Sequence, residues 1–104
     1  MGDDILKYDI NSGALVSCPT TYEGAVEIRE GTPGIRSGAF KDCTKITSVR
    51  IPKSVKYVEL NAFSDSCKLL HSIIYEGTLE DWLYLVNWHA YLSNWYNLYN
   101  TPQN

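Results

Sequence analysis

The feature that most constrains the fold of this chain is an internal repeat of 23 residues. The phrase SGAFKDC at 37–43 returns in altered form as NAFSDSC at 61–67. A period of this length is typical of proteins built from stacked structural units. Five apolar pairs share the separation of 23: Val26 with Val49, Ile28 with Ile51, Ile35 with Val58, Ala39 with Ala62, and Phe40 with Phe63.

Beyond Phe63 the separation grows to 24, because Ser66 is an additional residue before Cys67. Cys43 then aligns with Cys67, and Ile46 aligns with Leu70. A surface loop absorbs one extra residue at little cost, so we predict a longer loop at Ser66 in the second copy.

Each repeat contains a short segment in which apolar residues alternate with others around Glu27, Arg50 and Ile74. A period of two predicts three stacked parallel strands that turn the flanking apolar residues inward and these three residues outward. Glu27 beside Arg50 is then a favourable cross-strand pair. The Ala-Phe pairs lie midway between strands, where we expect them to fill the interior.

The segment IPKSVKYVELNAFSDSCKLLHSIIY, residues 51–75, resembles the BspA-like leucine-rich repeat, and the preceding unit resembles it more loosely. Arg29 and Thr32 depart from that pattern, in which Pro and Val are usual. The resemblance spans 26–75. It implies a mainly β fold with some α, namely a short right-handed leucine-rich-repeat solenoid with an N-terminal β-hairpin cap and a C-terminal helix.

The two ends of the chain differ from the repeats, and we expect all of 1–104 to form a single domain. Residues 5–19 predict a hairpin cap around the turn-forming Asn11-Ser12-Gly13. Thr78 is a candidate helix N-cap, and the aromatic-rich segment 78–99 predicts a C-terminal cap. We expect 101–104 to be a disordered tail.

Three cysteines occur, and none is spaced as in a CxxC zinc motif. Cys43 and Cys67 hold equivalent repeat positions, which favours buried core thiols. A disulfide between them is the alternative.

Composition and motifs favour binding over catalysis. The net charge of −3 and the scattered basic residues argue against nucleic acid. No run of about 18 apolar residues predicts a membrane span, and the start lacks the pattern of a signal peptide. Cys67 with His71, the loop acids Asp42 and Asp65, and the isolated His89 form no catalytic or metal-binding set. We therefore predict a non-enzymatic protein without a cofactor.

Two surfaces are candidates for binding. The outward residues Glu27, Arg50 and Ile74, with their neighbours Thr47 and Ser72, predict a face for a protein partner. The aromatics Trp88, Tyr91 and Trp95 predict, as an alternative, a carbohydrate-binding module, since exposed aromatic rings stack on sugars. Further hypotheses are a homodimer through the C-terminal end and a repeat fragment without activity of its own.

The resemblance to the repeat family also implies a location and a role. It implies a secreted or cell-surface protein of a bacterium or protozoan, used in adhesion or protein recognition, and a chain that is a piece of a longer repeat protein.

Overall fold

The computed structural model describes residues 6–59, 62–63 and 67–87, without the side chains of Leu79, Leu83, Val86 and Asn87. In this part the chain is mainly strand with little helix, as a leucine-rich-repeat fold requires. Its elements are β1 (Lys7–Tyr8), β2 (Leu15–Ser17), β3 (Gly24–Glu27), β4 (Gly34–Ile35), β5 (Ile46–Ile51), β6 (Tyr57–Val58), β7 (Ser72–Tyr75) and α1 (Leu79–Asn87).

The three predicted parallel strands are confirmed as one sheet in the order β3-β5-β7. Val26, Val49 and Ile73 lie opposite one another and are buried, as alternation at the repeat period predicts. Glu27, Arg50 and Ile74 form the next row and face outward. The register of this sheet therefore follows directly from the repeat.

A second sheet, in the order β1-β2-β4-β6, was not predicted from the sequence. Its repeat strands β4 and β6 have two residues each, which is too short to show a period of two. They pair in parallel with Ile35 opposite Val58, so the 23-residue alignment is correct in this sheet also.

Residues 7–17 form an antiparallel hairpin in which β1 pairs with β2. The turn is stabilised where the Ser12 backbone N–H donates to Asp9 Oδ2 at 2.7 Å, and Gly13 takes a positive φ of 83°. This backbone bond, with a second one from the Ser12 hydroxyl, holds the pKa of Asp9 below its ordinary value.

The interior between the sheets is filled by the repeated Ala-Phe pairs and by the cysteines. Phe40 and Phe63 are buried, and their rings stack on each other. Cys18, Cys43 and Cys67 are all buried free thiols, so the alternative of a Cys43–Cys67 disulfide is wrong. Cys43 Sγ contacts the Cys18 carbonyl oxygen at 3.4 Å, and Cys67 Sγ contacts that of Phe40 at 3.4 Å.

The helix α1 begins after Thr78, and the predicted N-cap is confirmed because the Asp81 backbone N–H donates to Thr78 Oγ1 at 3.1 Å. Trp82 and Leu85 are buried on the core, and the Trp82 ring lies 5.6 Å from that of Tyr75. Tyr84 faces solvent. The helix thus covers the core next to the last repeat strand.

Candidate partner-binding face

The outward side of the β3-β5-β7 sheet presents two rows of residues, here called the outer face. One row is Glu27, Arg50 and Ile74, and the row beside it is Ala25, Ser48 and Ser72. None of the six is fully buried, whereas the alternating positions behind them form the core. The sheet therefore holds these side chains on a rigid backbone without using them for packing.

The predicted neighbour Thr47 is not part of the second row. The pairing of β3 with β5 shifts between Gly24 and Ala25, so that Gly24 lies opposite Ile46 and Ala25 opposite Ser48. Thr47 is the additional residue of this bulge. Ser48, one position further on, takes the place opposite Ser72.

Arg50 joins two carboxylates across the outer face. Its Nε lies 3.5 Å from Glu27 Oε2, and its Nη1 donates to Glu76 Oε2 at 2.6 Å. The Glu27 side chain is 79% exposed and that of Glu76 is 30% exposed. The cross-strand pair of Glu27 with Arg50 was predicted, whereas Glu76 was missed.

A second arginine, Arg29, is held by the N-terminal hairpin. Its guanidinium carbon lies 4.0 Å from the centre of the Tyr8 ring, and its backbone N–H donates to the Tyr8 hydroxyl at 2.9 Å. This stacking on an aromatic ring fixes the direction of a long flexible side chain.

Between these groups lies an open cleft of about 310 Å³ at the carboxyl ends of β3, β5 and β7. Its lining residues are Glu27, Ile28, Arg29, Glu30, Arg50 and Glu76. Three carboxylates and two guanidiniums therefore surround the cleft. Its floor includes the buried Ile28 side chain.

The structure brings together Glu27, Arg50 and Ile74 of the predicted binding residues. The other three, Trp88, Tyr91 and Trp95, lie outside the described residues, as do the loop at Ser66 and the tail 101–104. The carbohydrate module and the C-terminal homodimer stay predictions for this reason.

The thiols are placed for packing. Burial is the main cause that raises the pKa of both Cys18 and Cys43 above the ordinary thiol value. Cys67 is buried at its core position, while His71 is exposed just before β7. Neither of the first two thiols is the lowered-pKa nucleophile that covalent catalysis uses.

Parallel strands taken from successive sequence repeats define the chain as a repeat protein. A family model described as "BspA type Leucine rich repeat region (6 copies)" matches residues 9–83. The chain belongs to this family of BspA-type leucine-rich-repeat proteins. The match begins upstream of the predicted span 26–75, since it includes the hairpin and the buried Cys18.

No curated protein and no solved structure matches the chain. Proteins of this repeat family are generally non-catalytic, often take part in surface interactions, and are typically secreted or located on the cell surface. In the described part of the chain, no helix has both the length and the apolar character needed to cross a membrane.

Proposed function

We propose that this chain is a non-catalytic, protein-binding domain of a secreted or cell-surface protein, and that its outer face contacts the partner. The repeats then form a short right-handed solenoid, with the hairpin and α1 as its caps. Family membership supports the location and the non-catalytic role. The observation that carries the proposal is the register, which presents Glu27, Arg50 and Ile74 in one row.

Chemical variety in this row supports protein recognition. An acid, a base and an aliphatic side chain lie side by side, and the small residues Ala25, Ser48 and Ser72 flank them. Small residues let a partner's backbone approach the sheet, while the larger row supplies charge and apolar contact. Substitutions on this face leave the buried side chains of the core in place.

The proposal is tested by binding of the full chain to an array of purified extracellular proteins. The test variant is Ser48→Arg with Ser72→Arg, which places two large charged side chains on the small row. The matched control is Thr20→Arg with Thr44→Arg, because both threonines are exposed and neither belongs to the outer face. Both variants add the same charge, and unchanged circular dichroism shows that each is folded.

We expect saturable binding to at least one protein, lost in the outer-face variant and kept in the control. Binding that survives the outer-face variant would exclude this surface. The absence of saturable binding across the array would contradict the proposed function itself.

A further inference from the structure

The geometry points to the cleft as the place where a basic side chain of the partner protein binds. We propose that an Arg or Lys side chain of the partner enters between the carboxylates of Glu27, Glu76 and Glu30. This inference rests on the proposed function, because it assigns the charge of the partner to one end of the outer face.

The first argument is the balance of charge. Arg50 is shared by Glu27 and Glu76, so two carboxylates meet one guanidinium at the centre of the cleft. Glu30 adds a third acid to the lining, and Arg29 adds a second base. One negative charge is therefore left over, and an arriving cation would neutralise it.

The second argument is the position of the carboxylates. Arg50 contacts Oε2 of both Glu27 and Glu76, so the second oxygen of each makes no contact with Arg50 among the ion pairs found. Both acids are thereby aimed at one point before any ligand arrives. A carboxylate that is already held in place loses less conformational freedom on binding than a freely rotating one.

The third argument concerns Arg29, the group that would favour an anionic ligand. Its guanidinium already lies on the Tyr8 ring, at the hairpin side of the cleft. The cleft thus has an anionic part around Glu27 and Glu76 and a cationic part at Tyr8. A cationic ligand is favoured because the acids outnumber the bases.

The test is a titration of the isotope-labelled full chain, followed by nuclear magnetic resonance. The probes are three blocked tripeptides that differ only in the central residue: acetyl-Gly-Arg-Gly-amide, acetyl-Gly-Lys-Gly-amide and acetyl-Gly-Glu-Gly-amide. We expect the Arg or the Lys peptide, or both, to shift the amide signals of Glu27, Arg50 and Glu76 in a saturable manner. Added salt should weaken this binding, because the groups are partly exposed.

The test variant Glu27→Gln with Glu76→Gln removes both carboxylates that Arg50 holds. Its matched control is Glu23→Gln with Glu59→Gln, because these acids pair with Lys45 and Arg36 and neither lines the cleft. We expect the affinity for the basic peptide to fall by about three-fold or more in the cleft variant, as two exposed charge contacts are lost. A smaller fall, or an equal fall in the control, would overturn the inference.

Two further outcomes would also overturn it: no saturable shift with either basic peptide, or preferential binding of the Glu peptide. The protein array gives a separate result for the proposed function. If a protein ligand is lost in the Ser48→Arg, Ser72→Arg variant but bound normally by the cleft variant, the outer face stands and the basic side chain is excluded.

Discussion

The rings of Phe40 and Phe63 stack in the core with their centroids 4.8 Å apart and their planes 5° from parallel. These are the two phenylalanines of the repeated Ala-Phe pairs, 23 residues apart. The backbone follows the same relation, since the Phe40 N–H donates to the Ala62 carbonyl at 2.8 Å. Neighbouring repeats are therefore joined through both side chain and backbone at this position.

The first prediction concerns the energy of this stack. Phe40→Leu and Phe63→Leu should each lower the free energy of unfolding by about 1–3 kcal/mol, because both rings are buried. The double variant should lose about 0.5–1.5 kcal/mol less than the sum, which is the contribution expected for an aromatic pair. Urea unfolding measures all four chains. Leu69→Ala, at a 55% exposed position, is the control, and strict additivity of the two Phe variants would contradict the prediction.

The second prediction concerns Ser54, which ties one repeat to the preceding one. Its hydroxyl accepts the Gly31 N–H at 3.1 Å and donates to the Thr32 carbonyl at 2.9 Å. Ser54→Ala should cost about 1–2 kcal/mol of unfolding free energy, because both bonds are lost together. Thermal and urea unfolding measure the loss. Ser37→Ala, an exposed serine whose backbone rather than side chain bonds to Glu59, should change stability by less than about 0.5 kcal/mol.

The position of Val26, Val49 and Ile73 could be predicted because two independent periods coincide there. Alternation within each strand gives the buried side, and the 23- to 24-residue repeat gives the register between strands. The same reasoning placed Arg50 beside Glu27. Thr32 shows how the fold absorbs a departure from the family pattern: it is buried in the position of Val, and its hydroxyl donates to the Arg29 carbonyl at 2.7 Å.

Glu76 and Cys18 could not be predicted in this way. Glu76 follows the last residue of β7, where alternation has ended, and only the bend before α1 turns it toward Arg50. Cys18 precedes Cys43 by 25 residues instead of 24, and the hairpin before it has no Ala-Phe pair. Periodicity has no information where the repeat changes length or where the chain leaves the strand.

The third prediction is a loss of stability at alkaline pH. Burial raises the pKa of the Cys18 and Cys43 thiols in the folded chain, so they stay protonated at a pH where unfolded thiols ionise. Because the folded pKa lies above the unfolded value, this stability is complete below the unfolded pKa of about 9 and is lost as the pH rises above it. The urea midpoint should fall between about pH 7.5 and pH 10.

A variant separates the thiols from other groups that titrate in the same range. Cys18→Ala with Cys43→Ala should be less stable at neutral pH, yet its urea midpoint should depend less steeply on pH. An unchanged slope would assign the alkaline loss to other groups. Thiol titration should also find three reactive groups in denaturant and slow reaction in the native chain, because all three cysteines are buried.

The last prediction concerns Gly34 and Tyr57, which lie opposite each other in the second sheet. A Cβ built on Gly34 would overlap the Tyr57 ring, so the ring covers the glycine. Gly34→Ala should therefore displace Tyr57 and lower the unfolding free energy by about 1 kcal/mol. Gly34 is not among the described glycines with positive φ, so alanine fits its backbone.

The sign of the effect should reverse once the ring is removed. In a Tyr57→Ala background, Gly34→Ala should be neutral or should stabilise the chain by about 0.4–1 kcal/mol, because alanine reduces the conformational freedom of the unfolded state. Urea unfolding of the wild type, both single variants and the double variant completes the cycle. Equal costs in the two backgrounds would show that Gly34 is required by its backbone and not by the Tyr57 ring.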